Sequence, residues 1–131
     1  MSRAGGPTTI VVIEDDADIA ELVEGILSDS GHALLVRSGL GEGPADPADL
    51  ADLGVRLVMT DLVAFRTYDR EAAHDWVSKV RTRYPRAAVA VATAHSGAAQ
   101  DGAPALGADA VLMKPYDIDL FTKTVESLLD R

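Results

Sequence analysis

Four short apolar runs end in groups able to handle a charged ligand. Thr9 to Ile13 runs into Glu14-Asp15-Asp16, Val55 to Met59 into Thr60-Asp61, Ala87 to Ala92 into Thr93-Ala94, and Ala110 to Met113 into Lys114-Pro115. Carboxylates brought close together raise one another's proton affinity unless a cation sits among them. Their oxygens suit a hard divalent ion. Mg²⁺, or Mn²⁺ in its place, accepts one or two carboxylates, keeps waters and takes phosphate oxygens for the rest. The Thr93 hydroxyl and the Lys114 ammonium would add two groups that favour phosphate oxygens. Singly, each residue has a plain explanation: Asp16 caps the following helix, Thr93 bonds to backbone, and Lys114 is a surface lysine. Their recurrence at four run ends carries the chemical reading.

That reading requires elements that bring the four ends to one edge. Continuous apolar runs, rather than alternating ones, mark parallel strands covered by helices on both faces. With Ala33 to Val36 the runs number five. Between the first two, Ile19, Leu22, Val23, Ile26 and Leu27 recur at helical spacing and the segment stops at Ser30-Gly31. Ala73, Trp76, Val77 and Val80 repeat that spacing in residues 70–83, placing Trp76 in the core. Leu120, Phe121, Val125, Leu128 and Leu129 do so at the C-terminus. Two weaker helices are expected, one from Asp46 to Asp52 and one from Gly97 to Leu106. Gly102 and Pro104 should shorten or distort the second, costing about 1 and 3 kcal/mol relative to alanine inside a helix. Alternating βα units with right-handed crossovers predict a single α/β domain over residues 9–131, doubly wound and flavodoxin-like, (βα)5, with a parallel five-stranded sheet of order 2-1-3-4-5. Residues 1–8 read as a flexible tail. Ligands of such sheets bind beyond the carboxyl ends of the strands, where the order reverses between the first and third.

Composition narrows the function further. Asp and Glu number 21 against 12 Lys and Arg, and the net charge of −9 repels a nucleic-acid backbone, so no direct nucleic acid is expected as partner. There is no cysteine, which excludes disulfides, thiolate metal sites and cysteine nucleophiles. His32, His74 and His95 are scattered rather than spaced as a zinc site. With no signal-peptide pattern and no membrane-length apolar run, the expected compartment is the cytoplasm, without a membrane partner.

Taken together, the sequence resembles the receiver domain of two-component response regulators, in particular the single-domain, chemotaxis-regulator-like kind. Ile10-Val11-Val12-Ile13-Glu14-Asp15-Asp16 is similar to the family's first strand with its acidic pair. Val58-Met59-Thr60-Asp61-Leu62 is similar to the strand delivering the phosphoacceptor aspartate. Ala92-Thr93-Ala94 matches the hydroxyl position, and Gly107-Ala108-Asp109 with Lys114-Pro115-Tyr116 resembles the lysine-proline signature. The resemblance spans residues 8–131. It implies that Asp61 accepts a phosphoryl group from a sensor histidine kinase or a histidine phosphotransfer protein. It further implies that Glu14, Asp15, Asp61 and the Val63 carbonyl hold Mg²⁺, that Lys114 and Thr93 bind phosphoryl oxygens, and that the Leu62 and Ala94 backbone N–H groups bind others. The implied output is altered contact with a downstream protein target, as a monomer or a phosphorylation-dependent dimer, with catalysis limited to the chain's own phosphorylation and slow dephosphorylation.

Departures from the family pattern bear on output and lifetime. Val111 stands where the family usually has an aromatic whose rotation reports phosphorylation, so the output face should be atypical. Val63, two residues after the acceptor, offers nothing to orient an attacking water, while His95 is a polar neighbour that would oppose this effect. The acyl phosphate should therefore be long-lived, and its half-life should shorten in Val63→Asn; an unchanged half-life would remove this role for Val63. Val63 also stands where a haloacid-dehalogenase-type phosphatase needs its second acid. A flavin carrier is disfavoured because Glu14-Asp15-Asp16 would repel the cofactor phosphate. The alternative is a pseudo-receiver, a protein-binding module of this fold that does not switch by phosphorylation.

Overall fold

The computed structural model describes residues 9–28, 33–37, 55–62, 67–114 and 118–129. Among these described residues, five strands and four helices follow in the order β1 (Thr9–Ile13), α1 (Ala17–Ser28), β2 (Ala33–Arg37), β3 (Val55–Thr60), α2 (Arg70–Arg83), β4 (Ala88–Thr93), α3 (Ser96–Leu106), β5 (Ala110–Met113) and α4 (Ile118–Leu129). All strand pairs are parallel and the sheet order is β2-β1-β3-β4-β5, as the alternation of apolar runs and helical segments predicts. The helix expected from Asp46 to Asp52 lies outside the described residues. So do the expected tail at 1–8 and residues His32, Val63, Pro115 and Tyr116.

The apolar runs are continuous because both sheet faces are covered. Val11, Ile13, Val58, Val89 and Val91 face a layer containing Ala73, Val77 and Val80 of α2 and Ala98 and Leu106 of α3. Alternate residues Ile10, Val12, Leu57, Met59, Ala90 and Ala92 face Val23 and Leu27 of α1 and Phe121 and Val125 of α4. Two members of the predicted helical stripes do not reach the core. Leu22 is 47% exposed and Leu120 57%, because each lies beside the row its helix presents to the sheet. Trp76 is likewise partly rather than fully buried, its ring packed against the α2 and α3 layer.

Local chemistry sets the helix limits. The Asp16 carboxylate accepts from the N–H groups of Asp18 (2.9 Å) and Ile19 (3.2 Å), so it caps α1 as its sequence position suggests. Asp69 caps α2 by accepting from Glu71 N–H at 3.2 Å. The helix expected to suffer from Gly102 and Pro104 is broken into two short pieces. It runs from Ser96 to Leu106 with a break at Gly102, whose φ of 84° and ψ of 162° lie outside helical values. Far from the ligand edge, the Asp109 carboxylate accepts from Val89 N–H (2.8 Å) and from Arg81 Nη2 (3.1 Å), while Arg81 Nε donates to the Gly107 carbonyl (2.8 Å). This clamp fastens α2 to the starts of β4 and β5, leaving their carboxyl ends to the ligand edge.

Tyr68, which the sequence reading did not single out, ties the segment before α2 to α3. Its hydroxyl donates to Asp101 Oδ2 at 2.5 Å, and its ring lies 6.4 Å from that of His95. Burial first, then the bond to the Asp101 carboxylate, push the Tyr68 phenol up to about 12. The ring also explains Gly97, where a Cβ would come within 2.5 Å of Tyr68 Cδ2. Gly97→Ala should therefore cost about 1–3 kcal/mol through overpacking. In a Tyr68→Ala background the sign should reverse, since alanine exceeds glycine in helix propensity by up to about 1 kcal/mol. Urea denaturation of the four proteins in this cycle measures the coupling, and equal effects in both backgrounds would refute the contact.

Candidate functional site

The site begins with strand register. Ile13 pairs with Thr60 across β1 and β3, and Asp61 N–H donates to the Ile13 carbonyl at 2.8 Å, so the residues that follow the two strands emerge side by side. These are Glu14-Asp15 and Asp61. One oxygen from each of Glu14, Asp15 and Asp61 lies within 4.8 Å of the others. Glu14 is buried at 5% exposure, Asp15 is exposed, and Asp61 is intermediate. The cluster thus has a buried floor and an open mouth, at the point where the sheet order reverses.

Lys114 reaches this cluster from the far side. Its N–H donates to the Thr93 carbonyl at 2.9 Å, which continues the β4–β5 ladder. Its Nζ lies 2.5 Å from Glu14 Oε1 and 3.4 Å from Asp61 Oδ2, with the side chain only 12% exposed. Glu14 Oε2 accepts from Asp16 N–H at 3.2 Å. Burial raises the Glu14 pKa above its ordinary value, outweighing the lowering by its bonds to Lys114 and Asp16; the nearby Asp61 charge adds to the rise. Three carboxylates against one ammonium leave negative charge in excess among oxygen ligands alone. That donor set fits a hard divalent cation.

The acceptor candidate is held at several points. Asp61 Oδ1 accepts from Leu62 N–H at 2.8 Å, while Oδ2 faces Lys114. Thr93 is fully buried, and its hydroxyl oxygen accepts from His95 N–H at 3.1 Å, a bond that uses a lone pair rather than the hydroxyl proton. Ala94 is exposed at the same edge. Val111 is half-buried against the core cluster that includes the α2 and α3 residues. The Val63 carbonyl, the remaining proposed ligand, is outside the described residues.

One contact beneath the site was not foreseen. Thr60, fully buried, donates its hydroxyl proton to the Asp61 carbonyl at 2.7 Å and accepts from Trp76 Nε1 at 2.9 Å. A lone hydroxyl ending the run Val55 to Met59 and a tryptophan needing an N–H partner were its only sequence signals, and neither names the other.

No family model and no curated protein matches the sequence. Solved structures do match. A response regulator receiver protein from Burkholderia phymatum is 23% identical with a TM-score of 0.68, covering 95% of each chain. A response regulator from Thermotoga maritima is 18% identical with a TM-score of 0.69, over 96% of this chain and 99% of that one. An orphan response regulator of H. pylori is 23% identical with a TM-score of 0.67, over 95% and 98%. Across about 95% of its length, the chain has the fold of response-regulator receiver domains.

Proposed function

We propose that the chain is a phosphorelay signalling domain that accepts a phosphoryl group on Asp61. The observation that carries this is the convergence of Glu14, Asp15 and Asp61 oxygens within 4.8 Å, with Lys114 Nζ 3.4 Å from the acceptor carboxylate. An Asp61 oxygen attacks the phosphorus of a phosphohistidine on a sensor histidine kinase or phosphotransfer protein. An O–P bond forms, the N–P bond breaks, and the departing imidazole takes a proton from solvent. Such transfers depend on positioning and on neutralising the moving charge. Asp15 and Asp61, with Glu14 directly or through water, would hold Mg²⁺, which supplies that neutralisation when bound. Lys114 shifts its ammonium onto a phosphoryl oxygen, and the Thr93 hydroxyl and the Leu62 and Ala94 N–H groups donate to others. The modified site then biases contacts with a downstream protein through an α3–β5–α4 face that carries Val111.

Incubation with acetyl phosphate and Mg²⁺, followed by Phos-tag electrophoresis, tests this reading. A retarded band that disappears with a chelator is expected. No band, or a band that survives Asp61→Ala, would instead leave a pseudo-receiver.

A further inference from the structure

The carbonyl and the N–H of one peptide unit, Asp61–Leu62, are both engaged. The carbonyl oxygen accepts from Thr60 Oγ1 at 2.7 Å, and the N–H donates to Asp61 Oδ1 at 2.8 Å. Thr60 is itself held by Trp76 Nε1 at 2.9 Å, so a chain of hydrogen bonds runs from α2 to the peptide that follows the acceptor. We propose that Thr60 and Trp76 are positioning residues that fix the direction of the Leu62 N–H. This rests on Asp61 being the phosphoacceptor.

The need arises at the moment of transfer. Once an Asp61 oxygen becomes bonded to phosphorus, the carboxylate can no longer hold the Leu62 N–H as before, and that donor is left for a phosphoryl oxygen lying along its existing direction. A peptide held only through the carboxylate would be released as the charge moves outward. The bond from Thr60 to the opposite end of the same peptide is independent of the carboxylate and persists through the step. Donors fixed beforehand stabilise developing charge without reorganising at the moment of reaction.

The chemistry of Thr60 supports this role. Burying the Thr60 hydroxyl under α2 is unfavourable unless it is bonded, and valine has the same shape without that penalty. Here both the proton and a lone pair are used, and the lone pair is taken by the single tryptophan of the chain. The indole fixes which way the hydroxyl proton points, because its N–H occupies a lone pair and leaves the proton for the Asp61 carbonyl. Bonds linked in this way strengthen one another in a dry interior.

Thr60→Val removes both bonds, Trp76→Phe removes only the indole N–H, and Thr60→Ser keeps the hydroxyl. Two measurements on the full chain test them, each including Trp76→Phe in case Thr60→Val folds poorly. The first is amide hydrogen exchange at Leu62, read by NMR without any phosphodonor. Thr60→Val and Trp76→Phe should speed Leu62 exchange by about tenfold or more while Val58 stays protected, and Thr60→Ser should restore wild-type protection. The second is the rate of phosphorylation by acetyl phosphate at saturating Mg²⁺ and donor. It should fall by about tenfold in Thr60→Val and less in Trp76→Phe, with the donor KM unchanged and Thr60→Ser within about twofold of wild type. Unchanged Leu62 exchange in Trp76→Phe and Thr60→Val, or a Thr60→Ser protein as impaired as Thr60→Val, overturns the positioning role. Absence of phosphorylation in the wild type instead overturns Asp61 as acceptor, and Leu62 exchange still decides whether Thr60 and Trp76 hold the peptide.

Discussion

Asp61→Asn is expected to reduce phosphorylation by acetyl phosphate and Mg²⁺ to background, a loss of at least about a hundredfold, because an amide oxygen is a far weaker nucleophile than a carboxylate. Intact-mass measurement and Phos-tag electrophoresis read the loss directly. The same substitution removes one of three clustered carboxylates and with it the Asp61 charge that helps to raise the Glu14 pKa. Without Mg²⁺ the variant should therefore melt somewhat higher than wild type. In saturating Mg²⁺ this advantage should shrink or reverse, since a ligand that binds only the folded state stabilises by an amount that grows with the logarithm of its concentration over Kd. Residual labelling near the wild-type level would place the acceptor elsewhere.

Glu14→Gln should separate stability from function with opposite signs. The folded-state pKa of Glu14 is raised above the ordinary value of 4.5, so the native protein holds this proton more tightly than the unfolded chain does. Stability falls with pH wherever the folded state binds more protons. The penalty for ionising Glu14 is thus absent well below pH 4.5, grows as pH rises through the window above that value, and is complete beyond the raised pKa. Glutamine never ionises. The variant should melt roughly 2–5 °C higher at pH 7, and the difference should vanish as the pH is lowered below 4.5. Isothermal titration should show Mg²⁺ binding weakened by about tenfold or more, because a neutral amide replaces one anionic member of the cluster. A melting temperature lowered at pH 7 would show instead that the pairing with Lys114 outweighs burial.

How much of this was legible beforehand depended on sequence distance. The five strands were readable because a parallel sheet covered on both sides demands apolar residues at every position, and Ile10 to Ile13 and Val89 to Ala92 obey that demand. The convergence of Glu14, Asp61 and Lys114 was readable because parallel strands put all their carboxyl ends on one edge. Side-chain partners were not. Trp76 and Thr60 are 16 residues apart, Arg81 and Asp109 are 28 apart, and Tyr68 and Asp101 are 33 apart. No helical or strand period links such positions, so only the folded path of the chain reveals them. Leu22 and Leu120 erred in the other direction, since an apolar residue at helical spacing is core only if the helix presents that row to the sheet.

The break in α3 gives that helix two anchors in place of one rigid span. On one side, Ala98 is fully buried and Asp101 is fastened to Tyr68; on the other, Leu106 is fully buried and Gly107 receives Arg81. Gly102, at φ 84°, lies between them as a joint that only glycine occupies without strain. The half beginning beside Thr93 is held through Tyr68, and the half that follows the joint is held through Arg81. In mechanical terms α3 is a jointed arm rather than a beam, with its joint six residues from Ser96, between the half that starts at the strand edge and the half seated beside β5.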